Sequence, residues 1–292
     1  MSEGAAQERR SGSASAVPST ARPGSGRIEP AAADQTRLGI FRFGLILQFC
    51  AAGFFGLAPL LAPVDYAHAL GLSGDEPYLF RLAGAATLGY AVPAVLGLLR
   101  GSWVSLRIPM ATTFVFNVSA AVAGFVTIDE SGLQPLSVIV AVAGSAFAAI
   151  AGYWLWRGGA WDGAASQPLE RGFRMTLAGA TVAATIVGGS QLLLPRSFAS
   201  VFGVSAADLI IIRLAGAATL GFAIAGLLSF YENHWPAVRI QTIASIVANI
   251  AAVIASAVYI AQGGPSWLGF LLLIAAGGLV LSLTAWAARA ER

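Results

Sequence analysis

The nine residues RLAGAATLG occur twice, at Arg81–Gly89 and at Arg213–Gly221, 132 positions apart. Carried outward without a gap, that offset pairs residues 41–157 with 173–289 and finds about 37 identities in 117 positions. Matched pairs include Arg42 with Arg174, Pro63 with Pro195, Gly71 with Gly203, Trp103 with Trp235, Arg107 with Arg239, Asn117 with Asn249, Trp154 with Trp286 and Arg157 with Arg289. A repeat of this length governs the reading of everything else, because a missed repeat misassigns the whole fold.

The repeat lies in eight apolar stretches, at about 38–62, 78–99, 105–127, 134–156, 173–195, 208–230, 237–261 and 266–288. Each is near the roughly 20 residues a helix needs to cross a hydrocarbon layer. Lipid cannot satisfy exposed peptide groups, so these stretches are expected to be helices. The expected fold is therefore an all-α integral membrane protein of eight transmembrane helices, built as two parallel four-helix repeats. Four spans per repeat is an even number, so the second copy enters from the same side as the first and an inverted-repeat transporter is disfavoured. The repeats are expected at 38–157 and 173–289, joined by a cytoplasmic linker over 158–172.

Composition agrees: 57% of the 292 residues are hydrophobic and 11% charged, where a soluble domain carries roughly 25% charge. The net charge of +3 comes from 17 Arg against 14 Asp and Glu, with no Lys. The arginines do not cluster on one surface, so no nucleic-acid partner is expected. An Ala-, Gly- and Arg-rich chain without Lys points to a GC-rich bacterial source. Residues 1–37 contain no apolar run and are expected to form a disordered tail; they show no signal-peptide pattern.

Positive charge near span ends is retained on the cytoplasmic side. With the amino terminus inside, about 14 of the 17 Arg fall on that side, and only Arg81, Arg196 and Arg213 lie towards the other. Trp103, Trp154, Trp156, Trp161, Trp235 and Trp286 gather at the same boundary, where amphipathic rings prefer to sit. Both termini are expected to be cytoplasmic, in the cell (inner) membrane.

The outer segments read LLAPVDYAHALGLSGDEPYLFRLAGAATLGY and LLLPRSFASVFGVSAADLIIIRLAGAATLGF. An apolar helix, a Pro-bounded loop with a Gly, and an Arg-Leu-x-Gly-small helix in that order resemble the DoxX-like four-helix bacterial membrane modules, here in tandem. The resemblance implies an architecture and, through members tied to quinol or sulfur oxidation, a quinone-linked redox subunit. It transfers no catalytic residue.

Ser73-Gly-Asp-Glu76 and Ser205-Ala-Ala-Asp208 have the spacing of capping boxes, which gives Glu76 and Asp208 a structural role. Arg81 and Arg213 follow about two turns later, and arginine at membrane depth is costly. Either the pair faces an outward cleft and binds an anionic group by bidentate hydrogen bonds, or each snorkels or bonds a neighbouring helix end. The small residues Ala85, Gly89, Ala217 and Gly221 continue that face as a helix contact. Asn117 and Asn249 near mid-span are read as interhelical hydrogen-bond partners, with ligand contact as the alternative. No Asp or Glu falls inside a span, which argues against cation coupling.

Lone Cys50 excludes a thiol pair, and His68 and His234 lack metal-ligand spacing. No nucleotide-binding or hydrolase motif is present. The expectation is a non-enzymatic membrane component without a metal or cofactor. It binds or moves a small anionic or lipid-like molecule, with Arg81, Arg213, Asn117 and Asn249 as candidate ligand contacts. The alternatives are an accessory subunit packed against membrane-protein partners and a quinone-linked redox subunit.

Overall fold

Apolar runs bounded by Pro, Gly and Arg become helices throughout. The computed structural model describes residues 32–100, 102–158, 168–264 and 266–291, with backbone alone for 32–38, 100 and 266. The expected disordered tail lies outside the described residues through position 31, as does the part of the linker at 159–167. The helices are α1 (Ala32–Leu61), α2 (Pro63–Ala69), α3 (Pro77–Leu88), α4 (Ala91–Arg100), α5 (Trp103–Ser131), α6 (Pro135–Arg157), α7 (Arg171–Leu193), α8 (Pro195–Phe202), α9 (Leu209–Glu232), α10 (Trp235–Ala261) and α11 (Ser266–Ala290). Among the described residues there is no strand, only an isolated bridge between Pro168 and His234. Eight segments of the described residues are long and apolar enough to span a membrane, α3 and α4 together forming one of them. The chain is an all-α integral membrane protein with eight spanning helices.

Helix α1 begins at Ala32 rather than near Leu38. Proline opens α2, α3, α6 and α8, a position where its missing N–H costs nothing and its fixed φ favours the helix. Beyond α2 and α8 the chain turns through Gly71 and Gly203, at φ of 73° and 67°, a region that glycine enters without a Cβ clash. The second span breaks between Leu88 and Ala91. Pro93 cannot donate to the carbonyl four residues back, whereas Ala225, 132 positions later, leaves α9 continuous.

Residues Gly39–Arg292 form one compact unit. Helix α5 packs along α6 and α9, α9 also along α7, and α10 along α11 and α3. The second helix of the repeated pattern thus lies against the third helix from the other side of the linker, and the two sets of helices interleave. Glycine makes the close approaches possible. A Cβ on Gly84 would come within 2.6 Å of the Gly56 carbonyl oxygen, and one on Gly216 within 2.7 Å of the Gly188 oxygen. Ala85 and Ala217 are fully buried. Gly89 faces Phe222 and Ala248, while Gly221 faces Tyr90 and the Thr112 carbonyl. Each copy of the string therefore packs one face on the preceding long helix and another across the centre of the molecule. In lipid, such contact replaces the hydrophobic drive.

Candidate functional site

Helix α5 continues past 127 to Ser131 and α9 past 230 to Glu232, so Asp129, Glu130 and Glu232 lie within spanning helices. The expectation that no acid enters a span is therefore corrected. Two of these acids pair with an arginine from across the molecule. Arg213, only 4% exposed, points Nη2 at both Glu130 carboxylate oxygens at 2.8 Å, and Nη1 donates to Thr127 Oγ1 at 2.9 Å. Arg81 makes the corresponding contact to Gln262 Oε1, at 3.1 Å. Both partners are related by the offset of 132, so the two contacts match position for position, with an acid in one and an amide in the other. Among the described residues, Arg213 is paired with a carboxylate, whereas Arg81 bonds only to an amide.

At the same end, Glu76 and Asp208 do not close capping boxes. They are the N-caps of α3 and α9, and neither makes a side-chain cap bond. Asp208 instead accepts from Ser73 N at 3.0 Å, Ser73 Oγ at 2.8 Å and Gly74 N at 2.9 Å, while Glu76 accepts from Ser205 N at 3.5 Å. Each carboxylate serves the other loop, because interleaving brings the two loops together and supplies donors better placed than those of the local turn. Burial pushes Glu76 above the ordinary carboxylate value, partly offset by the Ser205 N–H. The Ser73 and Ser205 hydroxyls accept from the amides of Asp75 and Ala207, two residues on.

At the opposite, arginine-rich end, Arg107 on α5 forms an ion pair with Glu232 on α9, and both side chains are buried. His234 Nδ1 lies 3.2 Å from the same carboxylate. Desolvation, with the nearby Arg107 charge, holds the imidazole below its ordinary value of 6.5. The Arg107 charge already neutralises the carboxylate, so the imidazole gains little by protonating.

Among the described residues, a large space lies between α7, α9, α10 and α11, with α3 and α8 closing one end. It is a cavity of about 600 Å³. Its wall is mainly Ala, Gly, Leu and Phe, and among the described residues no charged one lines it. Val187 on α7 and Leu271 on α11 line it and are also exposed at 37% and 51%, so it opens sideways between those helices. At the arginine-rich end Thr176 and Ser282 close it with a 3.2 Å hydroxyl contact. The corresponding space among α1, α3, α5 and α6 is about 100 Å³. The offset of 132 accounts for the difference, because Phe55, Phe116 and Phe147 stand where the larger cavity has Val187, Ala248 and Leu279.

Asn249 lines the large cavity and Asn117 the small one. Neither amide hydrogen-bonds across a helix interface; each donates to its own helix, Asn117 to Thr113 O and Asn249 to Ser245 O, both at 2.8 Å. That corrects the interhelical reading: the back-bond satisfies a donor without a neighbouring partner. Arg81 and Arg213 line neither space. Glu130, Glu232 and the cavity glutamines Gln191 and Gln241 were not singled out from the sequence. The available signal was substitution between the two copies, Gln191 opposite Pro59 and Gln241 opposite Pro109. No family model, no curated protein and no solved structure matches this chain.

Proposed function

We propose that this membrane protein binds a small lipid-like molecule, and exchanges it laterally with the bilayer, in the cavity between α7, α9, α10 and α11. The observation that carries the reading is the uncharged, mainly apolar 600 Å³ space with its side opening, within the range of roughly 300–1,000 Å³ usual for small-molecule sites. The chain is read as a duplicated four-helix unit of the DoxX-like kind in which aromatic residues fill one copy's cavity and small residues keep the other open. The arginine distribution supports a bacterial inner membrane with both termini cytoplasmic. The test uses radiolabelled hexadecanol with protein in phosphatidylcholine nanodiscs. Val187→Phe with Leu279→Phe, which copies Phe55 and Phe147, should remove saturable binding while leaving helicity and monodispersity unchanged. Equal binding by this variant and the wild type refutes the cavity as the site.

The anionic half of the expectation has one supporting observation. Arg81 is partly exposed and bonded to an amide, so an anionic headgroup beside α3 and α10 would meet a guanidinium with no carboxylate partner among the described residues. In the nanodiscs, Arg81→Gln should then reduce enrichment of phosphatidylglycerol around the protein; unchanged enrichment refutes this second reading.

A further inference from the structure

Two side chains in the cavity wall differ from most of the polar groups around them. Thr219 donates to Ala215 O, Thr242 to Val238 O and Asn249 to Ser245 O, while Thr176 and Ser282 pair with one another. Gln191 and Gln241 are 6% and 3% exposed, and the Oε1 of each is buried without a partner. Neither amide makes a hydrogen bond to any described residue. Buried polar groups are nearly always satisfied, so an unpaired one calls for a specific explanation. Neither copy-to-copy counterpart is polar: Pro59 and Pro109 stand 132 positions earlier. These two buried amides therefore have no equivalent at the matching positions of the smaller space.

Their placement is as informative as their chemistry. Gln191 lies in the last turn of α7, far from the arginine-rich end at which α7 begins, whereas Gln241 lies in the second turn of α10, which begins at that same end. Counted from those helix starts at 1.5 Å per residue, the two amides are separated by roughly 20 Å along the bundle. Between them the wall is largely apolar, and no lining residue is charged. A primary amide both donates and accepts, and so complements a hydroxyl or a carbonyl. An ionised group would enter this wall without a counter-charge.

We infer that the ligand is an uncharged, elongated lipid with a hydrogen-bonding group at each end, one held by Gln241 and the other by Gln191. This rests on the cavity reading above and narrows its ligand class. A molecule polar at one end would leave one glutamine unsatisfied. A globular polar ligand would desolvate against the apolar middle.

Three probes of one chain length test this in phosphatidylcholine nanodiscs: hexadecanediol with a hydroxyl at each end, hexadecanol, and the dianionic hexadecanedioate. The diol should bind about tenfold tighter than hexadecanol, the gain expected from one additional well-formed hydrogen bond. Gln191→Leu and Gln241→Leu should each bring the diol down to the alcohol's affinity. In the empty protein both variants should raise the unfolding temperature, since each removes a buried amide without a partner; this readout also establishes that they fold. If diol and alcohol bind equally well to the wild type, or the dianion binds best, the inference is overturned while the cavity reading stands. If all three probes bind the cavity-filled Val187→Phe, Leu279→Phe protein as tightly as they bind the wild type, the cavity reading falls and this inference with it.

Discussion

Replacing Glu130 by Gln converts the Arg213 contact into the kind already present at Arg81. The guanidinium it leaves is 4% exposed, and both carboxylate oxygens lie 2.8 Å from Nη2. Removing one partner of a buried ion pair costs about 3–5 kcal/mol because the other charge is stranded. The Glu130 side chain is 35% exposed, so water screens part of the interaction, and the amide oxygen retains one acceptor. These two considerations reduce the expected loss to about 2 kcal/mol, and to about 3 kcal/mol for Glu130→Leu, which retains no acceptor. The converse change, Gln262→Glu, gives Arg81 a carboxylate at an exposed position and should gain about 1 kcal/mol or less. Equilibrium unfolding by SDS titration in mixed micelles, followed by tryptophan fluorescence, measures all three. The reasoning is refuted if Glu130→Gln changes stability by less than about 0.5 kcal/mol, or if Gln262→Glu gains as much as Glu130→Gln loses.

The buried His234 should make stability fall with acidity. Its folded value lies below the ordinary 6.5, so as pH drops through about 6.5 the unfolded chain takes up a proton that the folded chain refuses. His234→Gln should flatten the slope between pH 7 and 5 in the same SDS titration, and an unchanged slope assigns it to another group. Gly188→Leu should destabilise by about 1–3 kcal/mol through overpacking, because a Cβ there lies 2.9 Å from both the Gly216 oxygen and the Leu220 nitrogen. Gly189→Ala, with nothing within 4 Å of its Cβ, should be neutral or stabilise by up to about 1 kcal/mol; equal effects at the two sites would refute the packing argument. Asp208→Ala removes the acceptor for Ser73 N and Gly74 N and should speed hydrogen exchange at those two amides, whereas unchanged rates would show that the loop holds itself.

The spans were legible because lipid forces long uniform runs, and hydropathy reads such runs directly. The same method shortened two helices. A span drawn by apolarity stops at the first acid, so Glu130 and Glu232 fell outside, although each is retained by an arginine remote in sequence. The capping boxes failed for a related reason: the spacing Ser-x-x-acid was correct, but a local pattern cannot register that two loops 132 residues apart meet in space. Arg81 and Arg213 stand out in the sequence by their cost in a membrane, and both bond to the end of another helix. The cavity had no signature in either copy alone. It arises from differences between them, smaller side chains opposite Phe55, Phe116 and Phe147 and glutamine opposite proline; the sequence holds these substitutions, and the fold brings them to one space.

The crossing of Asp208 to the Ser73 loop, and of Glu76 towards Ser205, bears on how the chain can be divided. Each segment supplies an acceptor to the other's loop, so the two are expected to depend on one another. Cut between α6 and α7, the two fragments should reassemble when co-expressed and be degraded when expressed singly. A protein carrying one such unit would need a second copy of itself to supply the missing carboxylate, and tandem fusion would make that partnership obligatory while freeing the two sides to specialise.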